Sequence, residues 1–337
     1  MFQFSKLKGI PFFILIGISA LIVILNLNMT TPVKKDGINN YIVYLVIVKY
    51  NSKDLIIIRK FIQNGKVKYV AVDPDNLQTY LLFQDNLIIR PITWNQLSAQ
   101  FKKAAYIRAL QAARNQSLSL QNSGIIHGSP KLKGVTLTVD LCPSHKPLDR
   151  VIFTSLIDEF KKTERPVPVA ISITGKFMET HYNDFNWLIK LVRSGDISVT
   201  WVNHTFSHRY NPKAPLTKNF LLEPNTDLSF EILETEKALI QQGVIFSIFF
   251  RFPGLVSNQK EVSMVTDFGL VPVGSDAWLA KGQPVHSGSI VLIHGNGNEP
   301  LGVKDFISLL QTEKSSVMKK QWIMYDLRES IESEFQK

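Results

Sequence analysis

Residues 9–27, GIPFFILIGISALIVILNL, form an apolar run without a single charge. At about 1.5 Å per residue such a helix crosses a hydrocarbon core of about 30 Å. A cleavable signal would be shorter and end at small residues. The one such point, Ile18-Ser19-Ala20, is followed at once by Leu21-Ile22-Val23-Ile24-Leu25, so an uncleaved anchor over 9–28 is expected, after a cytoplasmic tail over 1–8. Lys6 and Lys8 precede the run and argue for an inside amino terminus, although Lys34 and Lys35 follow it.

Beyond the run, YIVYLVIVKY, DLIIIRKFI, VKYVAVD, TYLLFQ and NLIIRPI read as short strands, punctuated by Asn51-Ser52, Asn64-Gly65 and Asp73-Pro74-Asp75. Apolar and alanine positions then recur at helical spacing over 94–114. These features predict a small basic, mainly β module over 29–115 that ends in a helix, followed by a Ser-, Asn- and Gly-rich linker over 116–133. From Gly134 the texture changes. The strand candidates VTLTVD, VPVAISIT, ISVTWVNH, FSIFFRFP, LVPVGSD, SIVLIHG and QWIMYDL alternate with amphipathic stretches near 152–163, 184–194, 228–242, 259–268 and 304–316. Such alternation predicts a parallel sheet, open or closed into a barrel, over 134–330.

Polar residues sit where these strands end. Asp140, His204, Asp276 and His294 terminate four of them and Arg251 lies near the end of a fifth, and the carboxyl-terminal rim is where parallel β/α folds assemble their sites. Composition narrows the chemistry. A single cysteine, Cys142, excludes a disulfide framework and any cysteine-rich zinc or iron-sulfur cluster, so metal binding must rest on histidine and carboxylate. Charge is uneven: residues 1–133 hold 17 lysines and arginines against five aspartates and no glutamate, whereas 134–337 hold 21 against 23 acidic residues. The basic half carries no nucleic-acid-binding motif and begins with the apolar run, so attraction to anionic lipid or polymer is expected rather than a nucleic-acid partner.

His204 and His208 are four positions apart, a spacing that brings both imidazoles to one side of a helical turn, ready to share a divalent cation of the zinc type. Asp140 is a candidate general base kept ionised by Arg251. His294 is a candidate acid, with Asp276 holding its imidazole in the donating state.

Thr138-Val139-Asp140, His204-Thr205-x-x-His208, Arg251-Phe252-Pro253-Gly254, Asp276-Ala277-Trp278 and Leu292-Ile293-His294 resemble, in order and spacing, the five motifs of the polysaccharide deacetylases with a NodB homology domain, the carbohydrate esterase family 4 type. The resemblance spans about 134–328. It implies a distorted (β/α) barrel and metal-dependent removal of acetyl groups from an N-acetylated cell-wall or surface glycan. On matching positions it makes Asp140 the base, His204 and His208 the metal ligands, Arg251 the partner of Asp140, Asp276 the tuner of His294, and His294 the acid. Pro253 and Trp278 would line the substrate groove. The implied metal is zinc, with cobalt or nickel as alternatives.

The resemblance also implies a single-pass protein of the cytoplasmic membrane whose catalytic domain lies outside, with residues 29–133 as a spacer or docking element. One position departs from the family pattern: Leu141 stands where most members carry a second, metal-binding aspartate. Two histidines with extra water, replacement by the Cys142 thiolate, or no metal remain open. Alternation along an extended segment makes Cys142 a buried small residue rather than a ligand. An O-acetyl esterase and a catalytically silent glycan-binding relative are the competing functions.

Overall fold

The computed structural model describes residues 37–85, 87–116 and 119–335. The run expected to cross a membrane lies outside them. Among the described residues no helix is long and apolar enough to do so.

Five strands, β1 (Ile38–Tyr50), β2 (Lys53–Gln63), β3 (Lys66–Val72), β4 (Thr79–Phe83) and β5 (Ile89–Pro91), form an antiparallel sheet ordered β4-β3-β2-β1-β5. The two tight hairpins fall at Asn51-Ser52 and Asn64-Gly65, all four residues at positive φ, the twist that two-residue hairpin turns demand. Helices α1 (Trp94–Gln100) and α2 (Ala105–Asn115) follow, α1 opened by a Thr93–Gln96 capping box.

The second sheet is parallel and contains β6 (Gly134–Leu141), β7 (Val167–Ile173), β8 (Ile197–Asn203), β9 (Phe249–Phe250), β10 (Val271–Pro272), β11 (Ala277–Trp278), β12 (Ile290–His294) and β13 (Ile323–Met324). Its order is β10-β9-β8-β7-β6-β12-β11, with β13 beside the start of β6. The two ends of that path, β10 and β11, belong to one short stretch of chain. The sheet therefore curls round on itself into a distorted barrel, hydrogen-bonded to β9 by one half of the stretch and to β12 by the other. The interposed helices are α3 (Val151–Phe160), α4 (Gly175–Thr180), α5 (Tyr182–Arg193), α6 (Leu228–Gln241), α7 (Gln259–Asp267), α8 (Pro300–Met318) and α9 (Leu327–Phe335). Strand β6 is buried along its whole length, as expected of a strand covered on both faces.

The stretch read as a linker is built into this seam. Ile125 forms a parallel bridge with Val273 and His127 an antiparallel one with Ser289, and the Asn122 side chain bonds both the N–H and the C=O of Ser275. The β module, a sheet of its own, packs directly against the parallel one. Ile47, Ile56, Ile58, Phe61, Val70 and Val72 share one hydrophobic core with the barrel. Tyr106 Oη donates to Gly269 O at 2.7 Å and Thr79 Oγ1 to Phe246 O at 2.8 Å. Arg59 of β2 and Glu236 of α6, both fully buried, form a two-pronged ion pair at 2.7 and 2.8 Å.

Candidate active site

Side chains of β6 alternate. Leu141 shares the outer face with Val139: a Cβ placed on Gly295 would meet both side chains, at 3.0 and 2.5 Å, with Ile152 of α3 beside them at 3.5 Å. Thr138, Asp140 and the next residue in phase, Cys142, turn to the barrel interior. Cys142 is held there by its backbone, whose carbonyl accepts from Asn296 Nδ2, while Thr174 Oγ1 donates to Leu141 O at 3.0 Å.

Cys142 is thus no inert core residue. Its Sγ lies 3.6 Å from His204 Nε2 and 3.3 Å from His208 Nε2, and the three ligand atoms lie within 4.8 Å of one another. The histidine pair converges as expected, but through a loop rather than a helical turn. His204 follows the end of β8, and the chain then passes through Thr205 at φ 70° and His208 at φ 45°. His204 Nδ1 donates to Arg251 O at 2.8 Å, which points Nε2 at Cys142. Thiolate and two imidazoles are a donor set suited to zinc, so the chemistry of these residues fits a divalent metal although Leu141 supplies no ligand.

Asp140 Oδ2 is 3.7 Å from His204 Nε2 and 4.0 Å from Arg251 Nη1. Its Oδ1, like Arg251 Nε and Nη1, is buried without a hydrogen-bond partner among the described residues. Arg251 is itself anchored by Nη2 donating to Thr138 Oγ1 at 3.0 Å. Burial alone would raise the Asp140 carboxyl, but Arg251, His204 and His294 outweigh it and hold it below the ordinary carboxylate value. Burial would likewise raise the Cys142 thiol. His208 and His294 reverse that and hold it well below its usual value. His294 moves the other way: desolvation is overcome by Cys142, Glu299 and Asp140, and its imidazole is held well above the usual range.

Asp276 does not tune His294. It immediately precedes β11, level with Ile290, whose N–H it accepts at 3.0 Å, whereas His294 lies four residues further along β12, about 13 Å at strand rise. Asp276 is instead engaged by His127 Nδ1 at 2.6 Å and Ser289 Oγ at 3.2 Å. The carboxylate on His294 is Glu299, which the sequence reading missed. It accepts from His294 Nδ1 at 2.8 Å and from Trp278 Nε1 at 2.7 Å. Trp278 thereby stands beside His294, ring centroids 5.9 Å apart, with Lys281 Nζ 3.5 Å above its ring. Pro253 is buried in a short turn of 3-10 helix, Pro253–Leu255. The structure therefore gathers Asp140, Cys142, His204, His208, Arg251 and His294 at the carboxyl ends of β6, β8, β9 and β12, and leaves Asp276 outside.

A family model described as the RP012 protein N-terminal domain matches residues 39–107. Among solved structures the chain is similar to a family 4 carbohydrate esterase from Bacillus anthracis, at 19% identity over 68% of this chain and 92% of that one, with a TM-score of 0.47. It is similar to a peptidoglycan N-acetylglucosamine deacetylase at 17% identity, over 61% of this chain and 91% of that one, TM-score 0.44. A CE4 family pseudoenzyme from Bacillus anthracis matches at 11% identity, over 88% of this chain and 90% of that one, TM-score 0.43.

Proposed function

We propose that this protein is a metal-dependent hydrolase that removes acetyl groups from an N-acetylated cell-wall or surface glycan. The observation that carries the reading is the convergence of Cys142, His204 and His208 on the rim that also holds Asp140 and His294. These three residues would hold the metal. When bound, it supplies Lewis acidity, polarising the acetyl carbonyl and stabilising the negative charge that develops on its oxygen.

The remaining work falls to the chain. Asp140, anionic beside Arg251 and with Oδ1 unpaired among the described residues, takes the proton from the attacking water. His294 delivers a proton to the departing sugar amine, and Glu299 fixes its Nδ1 so that Nε2 is the donor. Trp278 contributes an aromatic wall next to that acid. The resemblance of the five sequence motifs supplies the substrate class. The apolar run over 9–28 supports anchoring in the cytoplasmic membrane, and the resemblance, which implies a cell-wall or surface glycan as substrate, argues for a catalytic part on the outer side.

Acetate release from N-acetylglucosamine oligomers by the full-length protein tests the reading. Asp140→Asn and His294→Ala should each lower the rate by about 10²- to 10⁴-fold, and chelation should abolish activity until zinc or cobalt is restored. Equal release from wild type and both variants sinks it.

A further inference from the structure

The histidine loop has a feature that the roles above leave unused. Glu231 lies in the first turn of α6 and is buried. Its hydrogen-bond donors come from the three residues that join the two histidines: Oε2 accepts Phe206 N at 2.9 Å and Ser207 N at 2.8 Å, and Oε1 accepts Ser207 Oγ. A buried carboxylate is costly unless its hydrogen-bonding capacity is met, and here the loop between the histidines meets it.

We propose that Glu231 is a positioning residue for the metal-binding pair. The proposal rests on the metal reading above. The loop needs an external hold, because it leaves β8 through the left-handed, β-branched Thr205 and ends on His208, itself left-handed. Opposite Glu231, the start of α4 grips the same loop through the other polarity: Gly175 N donates to Thr205 O at 3.1 Å and Lys176 N to Phe206 O at 2.9 Å. Local bonds complete the brace, from Thr205 N to Asn203 Oδ1 at 3.0 Å and from His208 N to Thr205 Oγ1 at 3.2 Å.

Glu231 is a fixed post. Asp227 caps α6 through Phe230 N at 3.1 Å, Asn203 Nδ2 ties Ile232 O at 3.0 Å, and Glu236 one turn later is locked to Arg59. Loss of the Glu231 carboxylate strips the acceptor from two consecutive amides between the ligands and frees His208 to move relative to His204 and Cys142.

The test uses full-length protein in three variants, Glu231→Ala, Glu231→Gln and Ser207→Ala, with cobalt(II) titration and amide hydrogen exchange of the metal-free chain as readouts. Glu231→Ala should weaken cobalt binding by about 10- to 100-fold, the range for groups that orient metal ligands, and speed exchange at Phe206 and Ser207. Glu231→Gln keeps an acceptor for both amides and should stay close to wild type. Ser207→Ala, which removes one donor of three, should fall between. A folded Glu231→Ala protein with wild-type cobalt affinity and unaltered exchange overturns the proposal. Should that variant fail to fold, Ser207→Ala decides, and unchanged affinity and exchange there overturn it equally. Absence of cobalt binding by wild type refutes the metal reading itself, and the exchange comparison then reports separately on whether Glu231 holds the loop.

Discussion

Arg59→Met is the sharpest perturbation of the joint between the β module and the barrel. Wild-type Arg59 is fully buried, pairs with Glu236 through Nε and Nη2, and donates from Nη1 to Ile58 O at 2.8 Å and Phe268 O at 2.6 Å. Methionine fills much of the volume but provides none of these donors, leaving the Glu236 carboxylate buried beside Tyr41 Oη at 2.8 Å. Breaking a buried pair from one side costs roughly 3–5 kcal/mol. At about 2 °C per kcal/mol, the lower end for large domains, the melting temperature should fall by roughly 6–10 °C. Arg59→Met/Glu236→Met removes both charges and should recover most of the loss, giving a coupling of about 2 kcal/mol or more in a double-mutant cycle. Urea and thermal unfolding of the full-length protein measure both. Because module and barrel share one core, each variant should unfold in a single transition. Additive single-site losses, or an early separate transition of the module, would refute the reasoning.

Glu299→Gln should lower kcat by about tenfold or more and alter the pH profile through His294, whereas Asp276→Asn should leave kcat near wild type; steady-state kinetics on an N-acetylated oligomer distinguishes them. Gly175→Ala would place a Cβ 2.0 Å from Phe206 Cδ2, so it should cost about 1–3 kcal/mol in urea unfolding and weaken metal binding by shifting the histidine loop. Burial pushes the Glu164 carboxyl from 4.5 up to about 7. The folded state therefore retains a proton that the unfolded chain releases, and stability falls as pH rises between those two values and stays reduced above them. Glu164→Gln should raise the melting temperature above neutrality and change it little in acid; the opposite pattern in scanning calorimetry would contradict the assignment.

Much of the framework was legible in the chain. The period-two runs and the strand-helix alternation after Gly134 located the two sheets, because those patterns reflect burial on one or both faces of a strand. His204, Arg251 and His294 lie at the rim because strand ends determine where a side chain emerges. The inward placement of Cys142 beside the two histidines is legible too, because alternation counted from Asp140, two residues earlier, puts both on the same face. Asp276 misled because LVPVGSD reads as one strand, while the chain pairs with β9 only over Val271–Pro272 and turns to β12 before Trp278. Glu299 and Glu231 left no comparable trace. Each acts through contacts set by where a helix begins relative to a distant loop, and a single sequence carries no register for that.

Cobalt(II) titration of the full-length protein beside its Cys142→Ser variant addresses the central claim most directly. The account predicts one cobalt per chain with a thiolate-to-cobalt charge-transfer absorption in the near ultraviolet, lost in the variant together with much of the affinity. Cobalt bound without that absorption, or no cobalt bound at all, would contradict it.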